Sequence, residues 1–431
     1  MHLEEIYNYF DKNLPKTVDY ANLKDTAEHL CIGFTKFQES EEDFEVQGCY
    51  SRKSDEKASW NKQQGNELYK AKRFEEAILA YFKSLKLVSD SGNKMEFIFT
   101  IWSNITAVYI EMQRHDLAEY AIKQLLKYNL PEKLKSRALQ RQKKLPCIRK
   151  EPEQSKICEN LIEVRSSPTG GGRGVFALKD IEPGTLILVE SSSITLPLPE
   201  ADIYNKFCYK CLDNLVLPIG CNLCSQVLYC SESCRKVSWE ETHYCECRFM
   251  TFLLNATIPK FQASLCHISY MSLVRSFHTS LEAERIKSVY HDVALLDKGL
   301  LRKLVPYALT IATMEKNRLN SDFVLDFIEH ACRHQFNSFM IQNTNKPAIG
   351  ISMFPQLALC NHSCSPNVTT YFSKNGVYLY SLNTISKDGE IFMSYGPHFS
   401  VQNRLKRTEV LKTRYGFDCQ CEACRLKGTP G

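Results

Sequence analysis

The positions of the cysteines constrain this chain more than any other feature of its sequence. Of the 19 cysteines in 431 residues, eight lie within residues 208–247 and three within residues 419–424. The N-terminus lacks the basic start and apolar run of a secretory signal, so we expect reduced thiols rather than disulfides. Clustered cysteines then indicate metal sites, and isolated ones indicate buried apolar positions. We assign seven to the second class: Cys31, Cys49, Cys147, Cys158, Cys266, Cys332 and Cys360.

The central cysteines have the spacing of zinc ligands. Two C-x2-C pairs precede a C-x3-C pair and an H-x3-C pair, and together they supply eight donors, enough for two tetrahedral Zn²⁺ sites. Adjacent pairs usually close different sites in interleaved fingers, which predicts two clusters. The first cluster contains Cys208, Cys211, Cys230 and Cys234, and the second contains Cys221, Cys224, His243 and Cys247. Four protein ligands leave no open coordination position, so both sites should be structural. Cys245 is an alternative ligand for the second cluster.

This pattern resembles the MYND zinc finger, including the Tyr229-Cys230-Ser231 step and Trp239 between the last pairs. A module of this size has few large apolar residues, so metal binding worth about 10–16 kcal/mol per structural zinc would hold it together. MYND fingers are mostly protein-docking modules. The finger alone therefore favours an interaction protein.

Four segments outside the finger carry further motifs. A glycine turn at residues 170–174 lies between two strand-like runs, and taken alone it is as readily a flexible hairpin tip. Residues 361–367 read Asn-His-Ser-Cys-Ser-Pro-Asn, and residues 388–396 read Asp-Gly-Glu-Ile-Phe-Met-Ser-Tyr-Gly. Residues 415–418 then lead directly into the final C-x-C-x2-C, which is one ligand short of a closed zinc site.

These segments together resemble a SET-domain protein methyltransferase over about residues 158–425. A MYND finger inside the SET sequence narrows the resemblance to the SET-and-MYND lysine methyltransferase family. The resemblance implies that S-adenosylmethionine donates a methyl group to a lysine of a histone or non-histone protein. It also implies a third zinc site, the third cluster, formed by Cys364, Cys419, Cys421 and Cys424.

The resemblance further assigns the residues of an active site. Tyr395 is the expected catalytic tyrosine, which orients the amine and the methyl group. Asn337 matches the family's segment less closely, because Phe336 precedes it. The expected cofactor-binding residues are Gly172, Arg173, Gly174, Asn337, Asn361, His362, Tyr395, Tyr415 and Phe417.

The N-terminal part has the pattern of tetratricopeptide helix pairs. Gly65, Ala77 and Tyr81 fall where one pair needs small and large residues, and a second copy spans about residues 98–130. Two copies are few, so we expect helices from residues 1–50 and 132–145 to cap them. Repeats ahead of SET and MYND resemble one subgroup of the family. The basic run at residues 133–144 is either a solvated helix face or an aid to nuclear import.

The predicted fold is α+β and multidomain: a helical repeat, then a β-rich SET domain interrupted by a MYND double zinc finger and a helical insertion, with a zinc-bound post-SET tail. Its predicted parts are a helical tetratricopeptide-like domain (1–150), the SET N-terminal part (158–207), the finger (208–247), the helical insertion (248–345), the SET C-terminal part (346–400) and the post-SET segment (401–431).

The remaining expectations concern cofactors, partners and location. We expect three Zn²⁺ ions, S-adenosylmethionine, a protein substrate, and peptide or protein partners bound by the finger and the repeats. A formal net charge of only +5 argues against dedicated nucleic-acid binding. No apolar run of about 18 residues occurs, which argues against a membrane span. The expected location is cytoplasmic and nuclear. The competing hypothesis is a catalytically weak scaffold or transcriptional co-regulator that acts through the finger and the repeats.

Overall fold

A computed structural model gives the architecture. It describes residues 2–40, 53–90, 94–145, 161–168, 172–255, 260–277, 281–314, 319–342, 347–373 and 376–425. The chain divides into two compact units. The first unit comprises residues 1–46, 155–196 and 258–431, and the second unit comprises residues 47–154 and 197–257.

Helices dominate the chain by length. In chain order they are α1 (Leu3–Asn13), α2 (Leu23–Ser40), α3 (Asp55–Lys70), α4 (Phe74–Leu87), α5 (Lys94–Glu111), α6 (His115–Leu125), α7 (Glu132–Lys144), α8 (Ala201–Lys206), α9 (Glu232–Ser238), α10 (Tyr244–Glu246), α11 (Met250–Asn255), α12 (Lys260–Ser276), α13 (Leu281–Ser288), α14 (Lys298–Met314), α15 (Ser321–Asn337), α16 (Arg404–Tyr415) and α17 (Glu422–Arg425).

The strands are short. In chain order they are β1 (Ile162–Ser166), β2 (Arg173–Ala177), β3 (Leu186–Ser191), β4 (Ile194–Pro197), β5 (Ile219–Gly220), β6 (Leu228–Tyr229), β7 (Ser338–Ile341), β8 (Gly350–Met353), β9 (Asn361–His362), β10 (Val368–Ser373), β11 (Gly376–Ser381) and β12 (Glu390–Met393).

Side-chain caps explain where several helices begin. Ser54 accepts a hydrogen bond from the backbone N–H of Lys57 at the start of α3. Asn320 does the same for Phe323 at the start of α15, and its Oδ1 lies 2.8 Å from the nitrogen. Such caps satisfy backbone donors that have no partner inside the helix. Polar residues that interrupt the apolar pattern thus fix the helix boundaries.

The first unit contains three small sheets. One has the order β1-β2-β12-β9, another β10-β11-β3, and the third β4-β8-β7. Most neighbours are antiparallel, but β12 and β9 are parallel, with Phe392 opposite Asn361 and Met393 opposite His362. This parallel pair brings the Asn-His motif beside the strand that leads to Tyr395.

The helices of the first unit include the two N-terminal ones. Helix α1 packs against α14, and α2 packs against α15. The prediction that residues 1–50 cap the helical repeats is therefore wrong for the described part of that segment, residues 2–40. The physical reason is that α1 and α2 bury their apolar faces, which include Leu3, Phe10 and Phe34, in the first unit instead. The predicted boundary of the helical domain at residue 1 does not match this division.

Helix α15 lies within the predicted helical insertion, residues 248–345, and has one buried face. Val324, Ile328 and Ala331 are buried on one face, whereas Leu325 is half-buried at its edge. Four isolated cysteines are also buried, as expected: Cys31, Cys266, Cys332 and Cys360. Cys49, Cys147 and Cys158 lie outside the described residues.

The second unit is built from two similar helix pairs. Helix α3 packs on α4, α5 packs on α6, and α7 packs on both α5 and α6. Each pair has a non-glycine residue with positive φ in its turn: Lys72 at 60° and Gln113 at 58°. These two residues are 41 positions apart, the same spacing as Ala77 and Ala118. The 41-residue spacing of the side-chain pattern thus also occurs in the backbone conformation of the two turns.

One further segment of the chain completes this unit. Residues 197–257 carry β5, β6 and α8 to α11, and they belong to the same unit as α3 to α7. The predicted ends of the finger at residues 208 and 247 therefore lie inside this unit. Among the described residues, no helix is both long enough and apolar enough to cross a membrane.

We predict that Gly65→Ala destabilises the second unit. A Cβ at this position would lie 2.5–2.9 Å from ring atoms of Tyr81, which is buried and cannot move aside. The expected loss in the free energy of unfolding is about 1–3 kcal/mol by urea denaturation. Gly33→Ala in α2 is the matched control, because its Cβ would make only an ordinary 3.6 Å contact. Equal stability of the Gly65→Ala chain and the native chain would contradict this packing.

Candidate active site

The first unit contains a cavity of about 890 Å³. Its size falls within the range of small-molecule and cofactor sites. Its walls come from the glycine turn, the Asn-His motif, the strand β12 region and the C-terminal cysteine segment. Of the sequence-predicted residues it brings together Gly172, Arg173, Asn337, Asn361, His362, Tyr395, Tyr415, Phe417, Cys419 and Cys421.

The parallel pairing of β9 with β12 positions the centre of this cavity. The backbone N–H of Ser363 donates to the carbonyl of Met393 at 2.9 Å, and that of Asn367 donates to the carbonyl of Phe392 at 3.1 Å. Two segments about 30 residues apart in the chain are thereby held side by side. Tyr395 follows directly after β12, so its position depends on this pairing.

His362 connects two other parts of the site. Its Nδ1 accepts a hydrogen bond from the backbone N–H of Tyr395 at 3.0 Å, which places the proton of a neutral ring on Nε2. That Nε2 lies 3.4 Å from Sγ of Cys364. Both ring nitrogens are thus engaged within the chain. His362, an expected cofactor-binding residue, lines the cavity, but neither of its ring nitrogens is free to bond a cofactor in this arrangement.

Two tyrosines lie against each other beside His362. The rings of Tyr395 and Tyr415 are 5.1 Å apart, and the Tyr415 hydroxyl donates to the carbonyl of Tyr395 at 3.3 Å. The Tyr395 hydroxyl donates to the carbonyl of Cys360 at 2.9 Å. Burial raises the pKa of both phenols, so both stay protonated at neutral pH. The donated proton leaves the lone pairs of the Tyr395 oxygen available to accept.

Gly416 determines how the chain leaves α16. Its φ of 76° is in the left-handed region, and its N–H caps the helix by donating to the carbonyl of Lys412. A Cβ here would lie 2.8 Å from a methyl group of Leu295, which also lines the cavity. The turn places Tyr415 and Phe417, on either side of the glycine, at the same cavity. Phe417 lies 6.1 Å from the His362 ring.

Sequence reasoning missed Glu390, which lies beside Gly174 and Asn361. Its Oε1 accepts from Nδ2 of Asn361 at 2.7 Å, and its Oε2 accepts from the hydroxyl of Ser167 at 3.0 Å. Gly174 makes room for this carboxylate, because a Cβ there would lie 2.4 Å from Oε1. We expected Gly174 to contact a cofactor. The structure places it against Glu390 instead, and it does not line the cavity. The Asp-Gly-Glu sequence at residues 388–390 marked Glu390 as part of a motif, but it did not indicate that Asn361 and Ser167 are its partners.

The two asparagines of the site have their amide nitrogens bonded inside the chain. Nδ2 of Asn361 also donates to the carbonyl of Arg173 at 3.1 Å. Nδ2 of Asn337 donates to the carbonyls of Tyr290 and Arg333, each at 2.7 Å. Each amide has thus used both of its protons. The side-chain carbonyl of each asparagine is what remains to interact with a ligand.

The three predicted cysteine clusters are all assembled. In each, four ligand atoms lie within 4.8 Å of one another. The sulfur atoms of Cys211 and Cys230 are 3.6 Å apart, those of Cys221 and Cys247 are 3.8 Å apart, and those of Cys364 and Cys424 are 3.5 Å apart. A tetrahedral zinc with Zn–S bonds of about 2.3 Å requires sulfur atoms about 3.8 Å apart. The donor sets therefore fit Zn²⁺, and Cys247 rather than Cys245 belongs to the second cluster.

A buried carboxylate orients the histidine of the second cluster. Nδ1 of His243 lies 3.1 Å from Oε1 of Glu246, so Nε2 is directed toward Cys224 at 3.5 Å. Glu246 is completely buried, and it also accepts from the hydroxyl of Tyr209 at 2.8 Å. Carboxylates commonly fix metal-binding histidines in this way. Sequence reasoning missed Glu246, although its spacing of three residues from His243 was a usable signal.

The third cluster joins the cavity to the C-terminal segment. Cys364, Leu411 and Cys424 form a buried cluster, against which Tyr395, Tyr415 and Phe417 pack. The hydrogen bond with Cys419 and burial raise the pKa of Cys364, whereas the same hydrogen bond lowers the pKa of Cys419 to about 3. Four adjacent thiolates need a cation for balance, and a divalent ion supplies it by replacing their protons.

Comparisons with known proteins agree with this geometry. The model of the SET domain family matches residues 172–396, just over half of the chain. Histone-lysine N-methyltransferase ASHR1 of Arabidopsis thaliana is 28% identical over 270 residues, covering 60% of this chain and 54% of that protein. Protein-lysine N-methyltransferase SMYD4 of Homo sapiens is 24% identical over 458 residues, covering 80% and 56%. N-lysine methyltransferase SMYD2-A of Danio rerio is 26% identical over 277 residues, covering 60% and 59%. The chain thus spans little more than half the length of these relatives.

We predict three zinc ions per chain, one for each cluster. Elemental analysis by mass spectrometry of the purified protein measures this number directly. Cys421→Ser removes one ligand of the third cluster and should reduce the count to two. Cys31→Ser, which changes an isolated buried thiol, is the control and should leave three. Three zinc ions retained in Cys421→Ser would show that the third cluster does not bind one.

We also predict that Glu390→Gln weakens the first unit. The variant replaces an acceptor-only carboxylate with an amide, so Asn361 and Ser167 lose charge-assisted hydrogen bonds. Each such bond contributes about 1.5–3 kcal/mol, and thermal denaturation should show a clear loss of stability. Glu182→Gln, at an exposed position, is the control. A change no larger than that of the control would exclude this role for Glu390.

Proposed function

We propose that this chain, which belongs to the SET-domain family, is a member of its SET-and-MYND group and a protein-lysine N-methyltransferase that moves a methyl group from S-adenosylmethionine to a lysine of a histone or non-histone protein. The single observation that supports this most is the pairing of β9 with β12. It places Asn361 and His362 beside Tyr395 at one cavity. A scaffold would have no need of that arrangement.

The cavity fits S-adenosylmethionine by its size and by its polar groups. Its volume of about 890 Å³ is sufficient for a ligand with an adenosine and an amino-acid moiety. The free side-chain carbonyls of Asn337 and Asn361 suit an ammonium group, and the ring of Phe417 suits an adenine. When bound, S-adenosylmethionine supplies the methyl group on a positively charged sulfur.

The lysine must lose its proton before it can attack. A free lysine with a pKa near 10.4 is about 3.4 units from neutral at pH 7, which costs about 4–5 kcal/mol. The paired rings of Tyr395 and Tyr415 form an apolar wall that lowers the pKa of a lysine by removing water from it. The Tyr395 hydroxyl donates its hydrogen bond to the backbone carbonyl of Cys360. Its oxygen can therefore accept a hydrogen bond from the amine and hold the amine in line with the methyl group and the sulfur.

The zinc sites have a structural role in this proposal. With four protein ligands each, the three clusters have no open coordination position for substrate. The third cluster would keep Tyr415 and Phe417 against the cavity through the contacts of Cys364 and Cys424. Its contribution to catalysis is thus one of position.

The finer architecture and the partners belong to the same proposal. We assign the two helix pairs of the second unit to tetratricopeptide repeats, and the first and second clusters to a MYND finger. Trp239 and Tyr244 of the finger are 38% and 40% exposed, which suits protein docking. The substrate is a protein with an accessible lysine, and no dedicated nucleic-acid or membrane binding is included. We propose both a cytoplasmic and a nuclear location.

We predict that Tyr395→Phe abolishes methyl transfer while cofactor binding persists. The purified chain, with zinc in the buffer, would be incubated with radiolabelled S-adenosylmethionine and a whole-cell protein extract. Loss of the hydroxyl should reduce labelling of lysine roughly 10²–10³-fold, as for removal of one positioned polar group elsewhere. Calorimetric titration with S-adenosylmethionine should give a nearly unchanged affinity.

Tyr371→Phe, on an exposed position of β10, is the matched control and should retain full activity. Cofactor binding without labelling in the native chain would favour the scaffold or co-regulator hypothesis. Labelling that persists in Tyr395→Phe would exclude the catalytic assignment of that tyrosine.

A further inference from the structure

One face of the helical repeats in the second unit is covered by the chain itself. The face is formed by the end of α4, at Leu85 and Lys86, and by Trp102 and Tyr109 of α5; we call it the α4–α5 face. Residues 216–220, here called the docking segment, lie on it. The docking segment reads Val-Leu-Pro-Ile-Gly and directly precedes Cys221 of the second cluster.

The contacts join a helical surface to a segment that bends at residues 216–217 and continues as β5, which pairs with β6. Nε1 of Trp102 donates to the carbonyl of Pro218 at 2.9 Å, and the Tyr109 hydroxyl donates to the carbonyl of Val216 at 3.1 Å. The two donors are seven residues apart, so they lie on the same side of α5. The two acceptors are two residues apart on either side of Leu217, and both carbonyls point to α5.

Burial and close approach add selectivity to these bonds. Leu217 and Ile219 are 4% and 5% exposed, and Trp102 is 3% exposed. A Cβ on Gly220 would lie 2.7 Å from the backbone carbonyl of Leu85, so the last position accepts glycine and little else. The α4–α5 face thus fits an apolar segment with a central proline and a terminal glycine.

Two lysines donate hydrogen bonds to asparagines on either side of the docking segment. Nζ of Lys86 donates to Oδ1 of Asn205 at 2.8 Å, and Nζ of Lys94 donates to Oδ1 of Asn222 at 2.9 Å. Asn222 lies between the first two ligands of the second cluster. The second cluster and the docking segment are therefore adjacent in the chain and held by the same helices. A fixed conformation of residues 221–224 thus helps to fix the conformation of residues 216–220.

We propose that the α4–α5 face is a peptide-docking site which the zinc-loaded chain closes with its own docking segment. Loss of zinc from the second cluster releases that segment, and the site then accepts an apolar, proline-containing segment of another protein. In this arrangement the second cluster controls access to the repeats. The proposal concerns protein binding, and it stands whether or not the first unit transfers methyl groups.

The test uses a fluorescently labelled peptide with the sequence of residues 213–220 and the full-length chain. Its binding would be compared between the zinc-loaded chain and Cys221→Ser/Cys224→Ser, which lacks two ligands of the second cluster. We expect at least tenfold tighter binding by the variant, because the internal segment competes in the native chain and reduces the apparent affinity. Cys421→Ser, in the third cluster of the other unit, is the control and should bind like the native chain.

A peptide that ends in alanine at the position of Gly220 should bind the variant more weakly, since the face has no room for its Cβ. Equal binding of the glycine peptide by the native chain and the variant would overturn the proposal, because the site would then be open. Absence of binding to the variant would also overturn it, because the released face would not be a docking site.

A second measurement tests the closed state without removing metal. Trp102→Phe/Tyr109→Phe deletes both hydrogen bonds to the docking segment and retains the rings. Hydrogen–deuterium exchange at the amides of residues 216, 217, 219 and 220 should be about tenfold faster than in the native chain. Trp60→Phe/Tyr120→Phe makes the same changes at exposed positions and should leave exchange unaltered. Unchanged exchange in the first variant would show that the α4–α5 face does not hold the segment.

Discussion

The first unit depends on one imidazole that is bonded at both of its nitrogens. His362 accepts from the backbone of Tyr395 through Nδ1, and it faces the sulfur of Cys364 through Nε2. The ring therefore links the cysteine cluster at the C-terminal end of the chain to the residue on which the chemistry is proposed to depend. A change in either bond would move the backbone of Tyr395, whose hydroxyl is held separately by the carbonyl of Cys360. The rings of Tyr395, Tyr415 and Phe417 then pack around this link.

Some parts of this chain are stabilised by apolar packing, and others depend in addition on metal clusters. Helices such as α15 bury apolar side chains and need no further support. The segment with the first and second clusters has short strands and short helices, which alone would be marginal. There, the buried pair of His243 and Glu246 and the surrounding thiols add to a small apolar core that includes Val227, Leu228 and Tyr229. The energy of such a site is available only when a cation balances the thiolates.

Much of this site could be predicted from sequence, because its information is local. The spacings of the central cysteines and His243 identified the first two ligand sets, and the resemblance to the SET-domain family assigned the third cluster and the cavity residues. Partners that depend on tertiary contact could not be read: Glu390 meets Asn361 and Ser167 from 29 and 223 positions away. The packing of α1 and α2 was predicted wrongly for the same reason. An amphipathic helix shows that it has an apolar face, but its sequence does not say which helix will cover that face.

The chain enters the first unit three times and the second unit twice, in alternation. This order has a consequence for synthesis on the ribosome. Helix α1 packs on α14, and α2 packs on α15, about 285 residues further along the chain. At about 5–20 residues per second, the nascent helices wait roughly 15–60 s for their partners. During that time Phe10 and Phe34 can pack on each other, but the faces of α1 and α2 lack the cover of α14 and α15, so the emerging chain is exposed to aggregation.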